Sequence, residues 1–182
     1  TLRSCDVRST CYFDATRATG SAVDEMYPER RTRWLLDTDS DARRIGQALP
    51  AGSIDLTFID ANHSHPWPLL DLLHVTRVAR PGSWIALHDI ELPKLHPQYQ
   101  VHGPQWLFEA WPFNKIHGVG DSMNIGAVQL PDDLRDLVPM ALELLECPWE
   151  HTPTTWHVDL PDVFREVTKA LAPRLPDPAQ AA

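Results

Sequence analysis

The chain has 182 residues and a formal net charge of −9, with 43% hydrophobic and 23% charged residues. That is enough chain for one domain with a substantial core, and the balance is ordinary for a globular protein. The negative charge argues against a general nucleic-acid surface, which needs clustered Lys and Arg, and no apolar run approaches the roughly 20 residues needed to span a bilayer.

Cys5, Cys11 and Cys147 are odd in number and form no CxxC pair. They read as reduced, packed thiols of a cytosolic protein, with a Cys5–Cys11 bridge as the alternative. The chain opens on the polar TLRSCDVRST, with neither an initiator Met nor the apolar stretch of a signal peptide. A cytoplasmic location is expected, without a membrane or nucleic-acid partner, and the chain reads as a fragment or a trimmed piece.

In chain order, LRSCDV predicts a short strand ending near Asp6. DATRATGSAVDEM is polar and reads as a loop followed by a short helix. TRWLLD, residues 32–37, predicts a strand, and SDARRIGQAL a helix with Ser40 as its N-cap. Pro50, Gly52 and Ser53 form a turn. IDLTFID is β-rich and suits a strand covered on both faces. PLLDLLHVTRVA places Leu69, Leu72, Val75 and Ala79 on one helical side. Pro81-Gly82 ends that helix, and SWIALHD begins the next strand. Strand, helix, turn and strand in this order make a right-handed βαβ unit.

Beyond Leu92 the pattern loosens. LPKLHPQYQVHGP is rich in Pro and His and reads as a loop or lid over a site. PQWLFEAWPF predicts an amphipathic helix. KIHGVG and NIGAVQLP read as two antiparallel strands joined by the DSM turn. PDDLRDLVPMALELLE and DVFREVTKALAPRL are helical, CPWEHTPTTWHVDLP is loop, and PDPAQAA a disordered tail.

The most informative stretch is Ile54–Leu92, where each strand ends in an acid close to a histidine: Asp60 with His63, and His88 with Asp89. Adjacent parallel strands deliver their C-terminal ends to one edge, where ligands bind. Four metal-binding or proton-handling groups therefore converge. An unpaired carboxylate at the end of an apolar strand is costly to bury, and a divalent cation compensates its charge. Asp60 and Asp89 are the candidate ligands; helix capping or pairing with Arg is the rival role. His63 suits proton removal near neutral pH, against a plain loop histidine bonded to backbone. His65 invites an HxH metal reading but is followed by Pro-Trp. Trp67 and Trp84 read as packing residues. Trp106, Phe108 and Trp111 fit either a substrate pocket or the core, and His96 and His102 lie in the lid.

FID-x-x-H-S-H, a helix and then PGSWIALHD resemble the second half of a class I S-adenosylmethionine-dependent methyltransferase. The resemblance covers roughly residues 2–130 and is strongest at residues 54–92. It is nearest in pattern to the metal-dependent O-methyltransferases of natural-product and sugar tailoring, among them macrolide-sugar methyltransferases and cephalosporin-hydroxylase-like proteins. It implies an α/β fold with a Rossmann-like sheet, mostly parallel with a terminal antiparallel strand pair, and incomplete at its N-terminal edge. The family's Gly-rich cofactor loop has no counterpart, so the chain is expected to enter at strand two. By position, Asp6 would then grip the cofactor ribose and Asp39 the adenine. His88-Asp89 stands where the family has an acid pair. Histidine ligates transition metals but is a poor Mg²⁺ ligand, so His88 is a ligand, a base or a supporting group.

The implied cofactors are S-adenosylmethionine and a divalent metal, Mg²⁺ first, and the implied partner is a small-molecule hydroxyl substrate, a natural product or a sugar. The implied organisation is a core over residues 1–130, a helical extension over 131–175 and a tail over 176–182. The helices beyond Leu130 leave homo-oligomerisation open. Two rival functions stand beside this one. One is a metal-dependent hydrolase using Asp60, His63, His65, His88 and Asp89. The other is a catalytically inactive methyltransferase-like binding subunit.

Overall fold

The computed structural model describes residues 1–150. The chain divides into two compact units, Thr1–Leu49 and a second from Pro50 onward. In the first, β1 (Leu2–Cys5) is followed by a hairpin of β2 (Thr10–Cys11) and β3 (Asp14–Ala18), then α1 (Ser21–Met26), β4 (Trp34–Asp37) and α2 (Ala42–Ala48). β1 and β4 pair in parallel, with Cys5 opposite Asp37. The Asp6 amide donates to the Asp37 carbonyl and the Ser40 amide to the Asp6 carbonyl, so the two strand ends are laced together.

Two local expectations change here. DATRA is a strand rather than a loop, paired antiparallel with β2. Most of its side chains lie in solvent, so no apolar alternation betrays it in the sequence. The N-cap of α2 is Asp41, not Ser40, because the Asp41 carboxylate accepts the Arg43 amide. The Ser40 amide instead donates to the Asp6 carbonyl, just beyond β1.

The second unit runs β5 (Ile54–Ile59), α3 (Trp67–Thr76), β6 (Ala79–His88), α4 (Leu92–Leu95), α5 (Gly103–Ala110), β7 (Lys115–His117), β8 (Ile125–Gln129) and α6 (Val138–Glu146). Its sheet has the order β5-β6-β8-β7. β5 and β6 are parallel, and β8 is antiparallel to both β6 and β7. The antiparallel pair formed by KIHGVG and NIGAVQLP is therefore present. The fold is mixed α/β, and the parallel Rossmann arrangement is seen in part, in the β1–β4 and β5–β6 pairs.

Ile59, Ile85, Leu87 and Val128 bury one face of this sheet in a core shared with Leu69, Leu72 and Leu73 of α3, Leu107 and Phe108 of α5, and Ala141 and Leu144 of α6. β5 is not covered on both faces: Leu56 is 67% and Phe58 56% exposed. Successive residues of a strand point to opposite sides, and here only one side meets the helices. The boundary between α3 and β6 also moves. The helix stops at Thr76, and Pro81-Gly82 lies inside the strand, with Gly82 at φ 77° beside an irregularity in the pairing. The Val78 carbonyl accepts both the Ser53 and Ile54 amides. That early pairing with β5 draws Ala79 into the strand before the Pro-Gly step. It also removes Ala79 from the helical stripe.

No disulfide joins Cys5, Cys11 or Cys147. Among the described residues no helix is long and apolar enough to cross a membrane. Residues 151–161 of the expected loop CPWEHTPTTWHVDLP, the helix DVFREVTKALAPRL and the tail lie outside the described residues.

Candidate active site

β5 and β6 pair up to Ile59 opposite Leu87. One residue further stand Asp60, just past β5, and His88, the last residue of β6, with Asp89 next and His63 in the loop after β5. One ligand atom from each of Asp60, His63, His88 and Asp89 lies within 4.8 Å of the others. His63 Nε2 is 3.3 Å from Asp60 Oδ1 and 3.1 Å from Asp89 Oδ2. His88 Nδ1 is 3.4 Å from Asp60 Oδ1 and 3.1 Å from Asp89 Oδ2. The four residues singled out in Ile54–Leu92 are thus brought together.

His88 Nδ1 is buried and makes no hydrogen bond. The carboxylate oxygens beside it are close but misaligned. A nitrogen so placed, facing two carboxylates, fits a shared cation's ligand set better than a settled hydrogen-bond network. Asp89 adds a second sign. It is 8% exposed and its backbone sits at φ 62°, in the left-handed region. That conformation costs a non-glycine residue about 1–2 kcal/mol, although Asp tolerates it better than most. Such costs concentrate at functional sites. The hydrogen bond with His63 holds the Asp60 carboxyl below the usual carboxylate range, against the opposing effect of burial. The same bond raises the His63 imidazole above its ordinary value, with Asp89 adding to it.

Asp6 and Asp39 lie in the first unit, at the shared C-terminal edge of β1 and β4. Asp6 Oδ1 accepts the Arg8 amide at 2.8 Å. Asp39 is exposed and takes a left-handed φ of 52°. His65 does not join the cluster. It is 1% exposed, and its Nε2 donates to the Leu144 carbonyl at 2.7 Å. Burial lowers its pKa and favours the neutral ring. Phe108 and Trp111 are core residues, and Trp106 packs against the core while stacking on His102. His96 is exposed beside Tyr99.

Three residues near the site escaped the sequence reading. The Asn124 amide reaches Asp89 Oδ1 and accepts the Glu91 amide. The Glu150 carboxylate accepts the His65 and His102 amides and meets His102 Nδ1, fastening the loop that carries His63. Gly103 donates its amide to the His63 carbonyl at 2.9 Å. Asn124 and Glu150 lie far along the chain from their partners, and Gly103 falls in the stretch LPKLHPQYQVHGP, read only as a loop or lid.

Residues 4–90 match a family model described as a methyltransferase domain. The match supports a methyltransferase domain over this stretch, which contains Asp6, Asp39, Asp60, His63, His88 and Asp89. No curated protein matches the chain.

Proposed function

We propose that the protein is an S-adenosylmethionine-dependent, divalent-metal-assisted O-methyltransferase acting on a hydroxyl of a small molecule, a natural product or a sugar. The observation that carries this reading is the Asp60, His63, His88 and Asp89 cluster at the ends of two parallel strands, within a match to a methyltransferase domain. Asp60, Asp89 and His88 would hold the cation. When bound, a cation supplies positive charge that orients a substrate hydroxyl and lowers its pKa. S-adenosylmethionine supplies the methyl group on an already activated sulfonium, leaving the protein chiefly orientation and deprotonation.

His63 takes the hydroxyl proton at Nδ1, while its Nε2–H donates to Asp60 and faces Asp89. The two carboxylates then stabilise the imidazolium until the proton leaves to solvent. Asp6 holds the cofactor ribose and Asp39 its adenine. The protein works on a small molecule in the cytoplasm, without nucleic acid or membrane. Mg²⁺ would take Asp60 and Asp89 and leave the imidazoles outside, whereas a first-row transition ion would also accept His88. The hydrolase reading loses support because His65 is committed to the Leu144 carbonyl.

Mn²⁺ titration followed by electron paramagnetic resonance tests the cation site. One ion per chain is expected, with affinity more than about tenfold weaker in Asp60→Asn, since loss of even an outer-shell partner costs that much. Absence of a saturable site in the unsubstituted protein, for Mn²⁺ and Mg²⁺ alike, would contradict the metal-assisted reading.

A further inference from the structure

We infer that Asn124 is a positioning residue that presents one oxygen of Asp89 to the cluster and fixes the left-handed turn from which Asp89 projects. The inference rests on the cation site proposed above. Asn124 immediately precedes β8, which pairs antiparallel with β6, so its backbone faces the end of β6 from the neighbouring strand. Three of its groups act on three successive residues. Its Nδ2 donates to Asp89 Oδ1, its backbone carbonyl accepts the Ile90 amide at 3.3 Å, and its Oδ1 accepts the Glu91 amide at 3.0 Å.

The chemistry at the two ends fixes the orientation of the amide. A carboxylate needs a donor and a backbone N–H needs an acceptor, so only one flip of Asn124 satisfies both. A carboxamide of this length meets both demands. Aspartate in its place could accept from Glu91 but would set a second anion against Asp89. The division of labour at Asp89 follows. Oδ1 is taken by Asn124, and Oδ2 is left facing His63 and His88 at 3.1 Å each. Without Asn124 the carboxylate could rotate and the turn could relax, because φ 62° is held against the ordinary preference of a non-glycine residue. Outer-shell groups that orient a ligand in this way tune metal affinity about 10- to 100-fold.

The test pairs two readouts on Asn124→Ala and Asn124→Asp: Mn²⁺ affinity by calorimetry, and amide hydrogen exchange over residues 88–92 in the metal-free protein. The expected result is Mn²⁺ binding weakened about 10- to 100-fold in Asn124→Ala at unchanged stoichiometry, with the Glu91 amide exchanging faster. Asn124→Asp, which keeps the acceptor for Glu91 and loses the donor to Asp89, should retain slow exchange at Glu91 and still bind Mn²⁺ more weakly. That split separates positioning from mere support of the fold. Affinity unchanged in both variants, or raised in Asn124→Asp, overturns the inference. If the unsubstituted protein takes no Mn²⁺, the cation reading itself falls, and unchanged Glu91 exchange in Asn124→Ala would then also remove the hold of Asn124 on the turn.

Discussion

Asp89 concentrates the physical tension of the site in one residue: a buried carboxylate, a left-handed backbone and two imidazoles on one oxygen. Asp89→Asn should separate function from folding. Asparagine tolerates the left-handed region, and its amide oxygen can keep the bond from Asn124. Its thermal midpoint without metal should stay close to that of the unsubstituted protein, while Mn²⁺ affinity falls more than about tenfold. A variant that melts early and still binds the ion would mark Asp89 as structural.

His65 makes a prediction of the other kind. Its pKa is lowered below 6.5 by burial, against the bond to the Leu144 carbonyl. The unfolded chain therefore takes up the proton first. The stability that the neutral ring contributes is fully present above the unfolded value of 6.5 and is lost as pH falls through the lower folded value. His63, raised by Asp60, acts in the opposite direction, so the comparison must be between variants. The fall in melting temperature between neutral pH and about pH 5.5 should be smaller in His65→Gln than in the unsubstituted protein. Equal falls would show that His65 does not carry it. At this scale the sequence reveals the acids and histidines, since an acid ending an apolar strand stands out. It conceals Asn124, whose role comes from cross-strand pairing, and the left-handed φ of Asp89, which an Asp in a strand-end position does not announce.

Among the elements, α3 and the strands flanking it were legible because their apolar residues are dense and bounded by turns. The short polar β3 was not, having no buried face. The α3–β6 boundary was misread because Pro-Gly is a stronger local signal than the long-range pairing of Val78 with the start of β5. Leu72 is 0% exposed at the centre of α3. Leu72→Ala should cost about 2–5 kcal/mol in urea unfolding and leave Mn²⁺ affinity of the folded protein unchanged.

Gly103, at the start of α5, should behave differently. A Cβ there would lie 2.7 Å from the His63 carbonyl oxygen and 2.8 Å from Pro68 Cδ, neither of which can swing aside. Gly103→Ala should therefore cost about 1–3 kcal/mol and also weaken Mn²⁺ binding, because relief comes from moving the His63 loop. A loss of stability with the ion bound as before would confine Gly103 to packing.

At the scale of the whole molecule, the methyltransferase-domain match at residues 4–90 runs through both compact units. Each unit contains a parallel strand pair followed at its C-terminal edge by acids: Asp6 and Asp39 in the first, Asp60 and Asp89 in the second. The order of strands and helices was readable because hydrophobic period and turn residues are local properties. Sheet membership was readable in part: the parallel β5–β6 unit and the antiparallel β7–β8 pair follow from local pattern, whereas the place of β8 between β6 and β7 is set by pairing between distant segments. The central claim is that this chain binds S-adenosylmethionine and that its metal cluster serves the acceptor rather than the cofactor. Calorimetric titration of S-adenosylmethionine in the presence of Mn²⁺, into the unsubstituted protein and Asp60→Asn, tests it most directly. Saturable binding with one cofactor per chain, largely preserved in Asp60→Asn, is the predicted result; no binding to the unsubstituted protein would contradict the account.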